Sequence, residues 1–260
     1  MPRPKRIYSD VFPYHVSTRC INREWFGLPR PVLWNLFEDY LYGAHHFYGL
    51  LIHAFMLMDN HFHLLSSTPG ANIDEVMRYF LTETSREISR MTGRINQTYG
   101  GPYRASLINN MGYYHHAYKY LYRNPVKAGI CPRVEDYPYS TLRGVLGLQK
   151  CIIPMVPDFY LFDTSTEQTL AWLNTANPQE TDERIRKGLH RSAFAPSIDR
   201  HRRKNDFNAS ALPKSAAHLL FDGDGFGEVA GLVDVVAEGV GDVVGQKLQG
   251  DHFQQGQREP

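Results

Sequence analysis

Three cysteines stand in 260 residues, Cys20, Cys131 and Cys151, and no two are in C-x-x-C spacing. Neither a disulfide framework nor a cysteine-rich zinc site is expected, and the expected setting is a reducing cytoplasm. No run of 18 apolar residues occurs, so no membrane-spanning helix is expected. The basic start, with Arg3, Lys5 and Arg6, is not followed by an apolar stretch, which argues against a secretory signal. No G-x-x-x-x-G-K-[ST] phosphate loop is present, so no nucleotide cofactor is expected. An H-E-x-x-H metalloprotease motif is also missing.

Net charge is scarce too: 28 Lys and Arg against 27 Asp and Glu give +1. That value averages unlike regions. Residues 1–160 carry 17 basic against 12 acidic side chains, a net of +5, and residues 161–215 add 9 against 7. Residues 216–260 reverse the sign, with 2 against 8, a net of −6. All 16 tyrosines lie at or before Tyr160, whereas 9 of 21 glycines fall in the last 45 residues. The composition therefore divides the chain into residues 1–150, a basic helical extension over 151–215, and an acidic Gly/Val-rich tail over 216–260. The tail is expected to be disordered, because it offers little core material. The mildly basic, tyrosine-rich remainder suits a phosphate-bearing partner.

Polar–apolar alternation over Tyr14–Cys20 predicts a strand. Val32, Leu33, Leu36, Phe37 and Tyr40 predict an amphipathic helix over Pro29–Tyr42. The apolar run Tyr48–Met58 and the segment His61–Ser66 predict two strands joined by an Asp59-Asn60 hairpin turn. A second helix is expected from Asn72 to about Met91, a short strand over Tyr103–Ile108 and a third helix over Met111–Arg123. That order predicts an α+β fold, a ferredoxin-like split βαβ antiparallel sheet with helices on one face. Shorter helical pieces follow: Tyr139–Leu148, Thr166–Leu173 and Thr181–His190. On the last, Arg184, Lys187 and Arg191 form a basic face, and Arg200, Arg202, Arg203 and Lys204 form a second cluster. Both read as solvated surface in preference to contacts with a DNA backbone.

Two features carry chemistry. His61 and His63 flank Phe62 on a strand, so both imidazoles point to one face and can converge on a divalent metal with open positions. His-x-His also arises as ordinary strand surface. On the third helix, Tyr120 and Asn124 are four residues apart and share a face. A tyrosine hydroxyl beside a metal-bound phosphate can act as nucleophile, and an Asn amide oxygen can be a third ligand. Equally, Tyr113, Tyr114, Tyr118, Tyr120 and Tyr122 suit packing aromatics, and Pro125 disfavours helical geometry at Asn124.

Taken together, the segment Phe55–His63, the stretch from Tyr120 through Asn124-Pro125-Val126-Lys127-Ala128-Gly129, His15–Arg19 with Asn22, Arg23 and Phe26, and Gly101–Ser106 resemble the HUH single-tyrosine transposases. The branch associated with repetitive extragenic palindromes is the closest in pattern, and the resemblance covers roughly Val11 to Gly147. It implies a ferredoxin-like fold, His61, His63 and Asn124 as ligands to Mg²⁺ or Mn²⁺, and Tyr120 as nucleophile. It further implies DNA endonuclease and strand-transfer chemistry on single-stranded or hairpin DNA through a 5′-phosphotyrosine, by a monomer or homodimer. Arg19, Arg23, Arg104, Arg123 and Lys127 are candidate phosphate contacts by position. For the phenol proton, His116, one turn before Tyr120, is a candidate acceptor, and a metal-bound water or the substrate are the alternatives. Two other readings remain: a catalytically idle DNA-binding relative, and a His-x-His metallohydrolase, for which no carboxylate partner motif is present.

Overall fold

A computed structural model describes residues 6–156, 159–162 and 165–194. The acidic tail and the cluster Arg200–Lys204 lie outside the described residues.

Strand β1 (Tyr14–Arg19) leads to helix α1 (Arg30–Tyr48), and the hairpin β2 (Leu51–Leu57) and β3 (His61–Ser67) follows. Helix α2 (Ile73–Thr92), strand β4 (Arg104–Leu107) and helix α3 (Met111–Lys127) come next. Four further helices complete the described chain: α4 (Leu142–Val145), α5 (Phe159–Phe162), α6 (Thr166–Asn174) and α7 (Gln179–Gly188). The sheet runs β2-β3-β1-β4 and every neighbouring pair is antiparallel, the split βαβ arrangement expected from the element order.

Alternation along the strands divides the sheet into two unlike faces. One buries Tyr14, Val16, Phe55, Leu57, Phe62 and Leu64 in the main core. There Phe62 meets Phe37 of α1 at 5.6 Å and Phe80 of α2 at 5.5 Å between ring centroids, and Phe37 meets Phe80 at 5.4 Å. The other face carries the histidines and is covered by α3. The expectation of helices on one face thus holds for the crossover helices α1 and α2, while α3 departs from it. Its tyrosines and histidines match a polar sheet face, not the phenylalanine layer.

Helix α1 runs six residues beyond its expected end at Tyr42, because nothing in Gly43–Tyr48 breaks it. Gly49, at φ 68°, ends it in the left-handed conformation that glycine adopts without strain. The apolar run beginning at Tyr48 is therefore shared between helix and strand. In β2, a register shift between Ile52 and Ala54 makes His53 an extra residue. Its ring turns to the α3 side, with Nε2 2.7 Å from Ser67 Oγ and the Tyr114 ring 5.8 Å away.

Helix α3 is capped by Asn110, whose side chain accepts from Tyr113 N at 3.2 Å. It passes through Pro125 to Lys127, so Asn124 is helical, against the bias set by the following proline. The reason is local. Pro125 has no N–H to offer the carbonyl four residues back. Asn124 Nδ2 reaches that carbonyl, Leu121 O, at 3.3 Å, and Tyr120 O at 2.9 Å.

Candidate active site

Antiparallel register places Ser17 opposite both His63 and Arg104, and Arg19 opposite His61. Directly opposed residues share a face. Around this patch, the rings of His61 and His63 stand 5.1 Å apart and nearly perpendicular, and His15 stacks on His63 at 5.1 Å. His15 Nε2 lies 3.0 Å from His63 Nδ1. In the sequence His15 belongs to the segment that carries the family resemblance, with no role of its own. Its signal was present, since His15, Ser17 and Arg19 alternate with core residues, but only the register puts its ring against His63.

The hairpin turn fixes His61. Asn60 Nδ2 donates to Arg23 O at 2.9 Å, which orients the amide and leaves its Oδ1 facing His61 Nδ1 at 2.7 Å. An amide oxygen accepts only, so His61 Nδ1 carries the proton and Nε2 presents a lone pair. Arg23 supplies that carbonyl from a strained turn, with φ 55° at Asn22 and 60° at Arg23. Asp59, the other turn residue, is held by Arg30, whose NH2 lies 2.7 Å from Oδ2.

Burial keeps these imidazoles neutral. It pushes His61 down to about 4, helped by Arg19, and His15 to about 3, helped by His190. His63 is driven well below its ordinary value by burial and then by His15 and His61. Neutral imidazole is the metal-binding form. When His63 donates from Nδ1 to His15, its Nε2 is also bare, so a divalent ion fits the two histidines through equivalent nitrogens, with partners on the other ring atoms. Among the described residues no three His, Cys, Asp or Glu side chains form a metal cluster. The set implied by the sequence, two imidazoles and an amide oxygen, is of a different kind. Asn124 directs its nitrogen along its own helix, which leaves Oδ1 as its outward atom. Among the described residues it makes no hydrogen bond to either histidine.

Four of the five α3 tyrosines are packing residues. Tyr122 pairs its hydroxyl with Thr141 Oγ1 at 2.8 Å and meets the Tyr118 ring at 4.9 Å. Tyr114 stacks near Tyr118, and Tyr113 lies against Phe194 at 5.1 Å. Tyr120 alone stands edge-on to the site histidines, 5.7 Å from His63 and 6.2 Å from His15. Its hydroxyl makes no hydrogen bond among the described residues. Burial raises its pKa, and Arg186 and Arg19 oppose that rise. His116 is 4% exposed, and burial followed by Lys119 pushes it down to about 4. A ring so weakly basic is a poor acceptor for a phenol proton.

Cations lie around the site. Lys127 Nζ sits 4.9 Å over the Tyr120 ring and pairs with Asp182 at 2.8 Å. Arg104 donates to His190, and Arg19 is exposed beside His61. Arg23 is exposed at the turn. Arg123 departs from its expected role. It is 6% exposed, and its guanidinium donates to Leu173 O at 3.0 Å and Asn174 O at 2.6 Å, closing the C-terminus of α6. Of the basic positions expected to touch phosphate, it is the one turned inward. Arg186 and His190 carry no signal of their own in the sequence, because their placement depends on where α7 packs.

No family model matches the sequence, and no curated protein matches it. Among solved structures the chain is similar to one described as the REP-associated tyrosine transposase bound to a REP hairpin. The TM-score is 0.50 at 20% sequence identity, and the match covers 64% of this chain and 97% of the other. At that identity the likeness establishes the shared fold.

Proposed function

We propose that this chain is a REP-associated-type single-tyrosine transposase, an endonuclease and strand transferase that acts on single-stranded or hairpin DNA in the cytoplasm. One observation carries the reading: Tyr120, whose hydroxyl makes no hydrogen bond among the described residues, stands edge-on to His63 of the His61–His63 pair, with Lys127 over its ring. The shared fold with a hairpin-bound transposase supports it. The tyrosine ring stands edge-on to His63 and His15, and His63 is buried and neutral.

His61 and His63 would hold Mn²⁺ or Mg²⁺ through Nε2, with the Asn124 amide oxygen as third donor. When bound there, the ion supplies charge stabilisation to the phosphate oxygens. Imidazole donors favour Mn²⁺ of the two. His15 and Asn60 keep the two rings in place through their other nitrogens. Tyr120 attacks the phosphorus, forming the tyrosyl P–O bond as the P–O3′ bond breaks. The phenol loses its proton, and the departing 3′ oxygen takes one up. The 5′-phosphotyrosine retains a phosphodiester, so rejoining to a 3′-hydroxyl needs no nucleotide cofactor. Arg19, Arg23, Arg104 and Lys127 line the approach for the DNA backbone. Trp25, 72% exposed in the loop between Arg23 and Phe26, offers an indole on which an unpaired base can stack.

The test is incubation with Mn²⁺ and a pool of stem–loop DNAs bearing randomised unpaired flanks, labelled at either end. A covalent protein–DNA band with the label 3′ of the break is expected. It should vanish with EDTA or in His61→Ala, while binding of the DNA pool persists, because phosphate contacts supply most affinity. Full cleavage in excess chelator would remove the metal from the mechanism.

A further inference from the structure

Helix α7 belongs to the C-terminal extension, outside the stretch on which the family resemblance rests. It is anchored by Ile185, fully buried, and by Leu189, 3% exposed. At 3.6 residues per turn, Asp182, Arg186 and His190 fall along one stripe beside that buried side, the last just past the helix end. Both ends of the stripe are pinned to the site. Asp182 Oδ2 holds Lys127 Nζ at 2.8 Å, and that ammonium lies over the Tyr120 ring. His190 receives an N–H from Arg104 of β4. The chain after it joins β4 by backbone bonds, Leu107 N to Ser192 O at 2.9 Å and Phe194 N to Leu107 O at 2.7 Å.

Arg186 lies between these two fixed points, one helical turn from each. It is exposed and has no carboxylate partner among the described residues. Its charge is felt at both the Tyr120 phenol and the His190 ring. A guanidinium one helical turn from the carboxylate that holds Lys127 over Tyr120, with no carboxylate partner among the described residues, is suited to an anion that arrives from outside.

On the reading of the site given above, we infer that α7 completes it and that Arg186 is a catalytic residue. Its guanidinium donates to the non-bridging oxygens of the scissile phosphodiester while Tyr120 attacks. Negative charge on those oxygens is redistributed as the tyrosyl bond forms and the 3′ oxygen leaves, and a preplaced donor fork stabilises it. Arg186 stays protonated throughout and transfers no proton. Lys187, on the same helix, points away from the stripe and pairs with Glu183 of its own helix at 3.9 Å.

The experiment uses the full chain with Mn²⁺ and the same stem–loop pool, under single-turnover conditions. Arg186→Ala should slow adduct formation about 10²- to 10³-fold. DNA affinity should change by less than about threefold and the melting temperature should be unchanged. Arg186→Lys should be intermediate, and Lys187→Ala should match the unsubstituted chain. Guanidinium ion added to the solution should restore part of the rate to Arg186→Ala and none to Tyr120→Phe. A wild-type rate in Arg186→Ala overturns the inference. So does a slow Arg186→Ala protein whose loss follows weaker DNA binding or melting and is not rescued by guanidinium. An unsubstituted chain that forms no adduct with any member of the pool defeats the functional reading itself, and this inference with it.

Discussion

The two faces of the one sheet are built from unlike residues. On one side Phe37, Phe55, Phe62 and Phe80 close a dry aromatic layer under α1 and α2. On the other, the same strands hold His15, His53 and His63 under α3, each buried and each with a ring nitrogen bonded to another side chain. Phe62 and His63 are neighbours in sequence and belong to different environments. The phenylalanine layer has only packing to lose. The histidine layer holds its polar groups at a desolvation cost, and oriented polar groups in such surroundings interact more strongly than in water.

That contrast can be broken at its strongest point first. Tyr120→Phe should abolish adduct formation while moving the melting temperature little, since the hydroxyl that is lost makes no hydrogen bond among the described residues. Tyr113→Phe should keep the adduct. Peptide mapping of the trapped complex reads the answer directly, and DNA attached at Tyr113 would refute the assignment.

On the opposite face the outcome should invert. Phe62→Ala removes a fully buried ring from contact with three others and should cost about 3–5 kcal/mol of stability. Urea unfolding measures it, and whatever protein stays folded should keep its metal affinity. A Phe62→Ala protein with normal stability and weak metal binding would mean the two faces are not separate.

His15→Ala tests whether the stacked histidine supports a ligand. Mn²⁺ affinity, by calorimetry, should fall about 10- to 100-fold, the usual effect of losing the partner on a ligand's second nitrogen. Unchanged affinity would leave His15 with packing alone.

A last test titrates the buried histidines. Burial lowers His53 to about 4 and His115 to about 3 in the folded chain, against about 6.5 when unfolded. Between those values the unfolded state binds more protons, so stability is complete above about pH 7 and declines as pH falls from 6.5 toward 4. Each of the two histidines should contribute a slope of about 1.4 kcal/mol per pH unit. Denaturant unfolding at pH 8 and 5.5 measures the difference. A flat profile would mean that these rings titrate normally.

Much of this arrangement was legible one residue at a time. Alternation in Asn60–Leu65 assigns His61 and His63 to one face and Phe62 to the other, because strand geometry has a period of two whatever packs above it. Helical spacing picks out Tyr120 and Asn124 as companions in the same way. Local rules failed where a remote or neighbouring group intervened. Pro125 signals a helix end, yet Asn124 bonds the carbonyl that the proline strands, and the helix continues. Arg123 looks like any exposed basic residue until α6 brings two carbonyls to it.

The sequence by itself therefore determined the order of elements, the faces of the strands and the residue types with chemical capacity. These follow from backbone geometry and side-chain periodicity, which act over a few residues. Only the tertiary structure decided that α3 lies on the histidine face, that His15 stacks on His63, and that α7 brings Asp182 to Lys127 and His190 to Arg104. Those contacts join elements whose separation along the chain carries no period. They are set by which buried surfaces match, and matching is a property of whole faces that no single segment encodes.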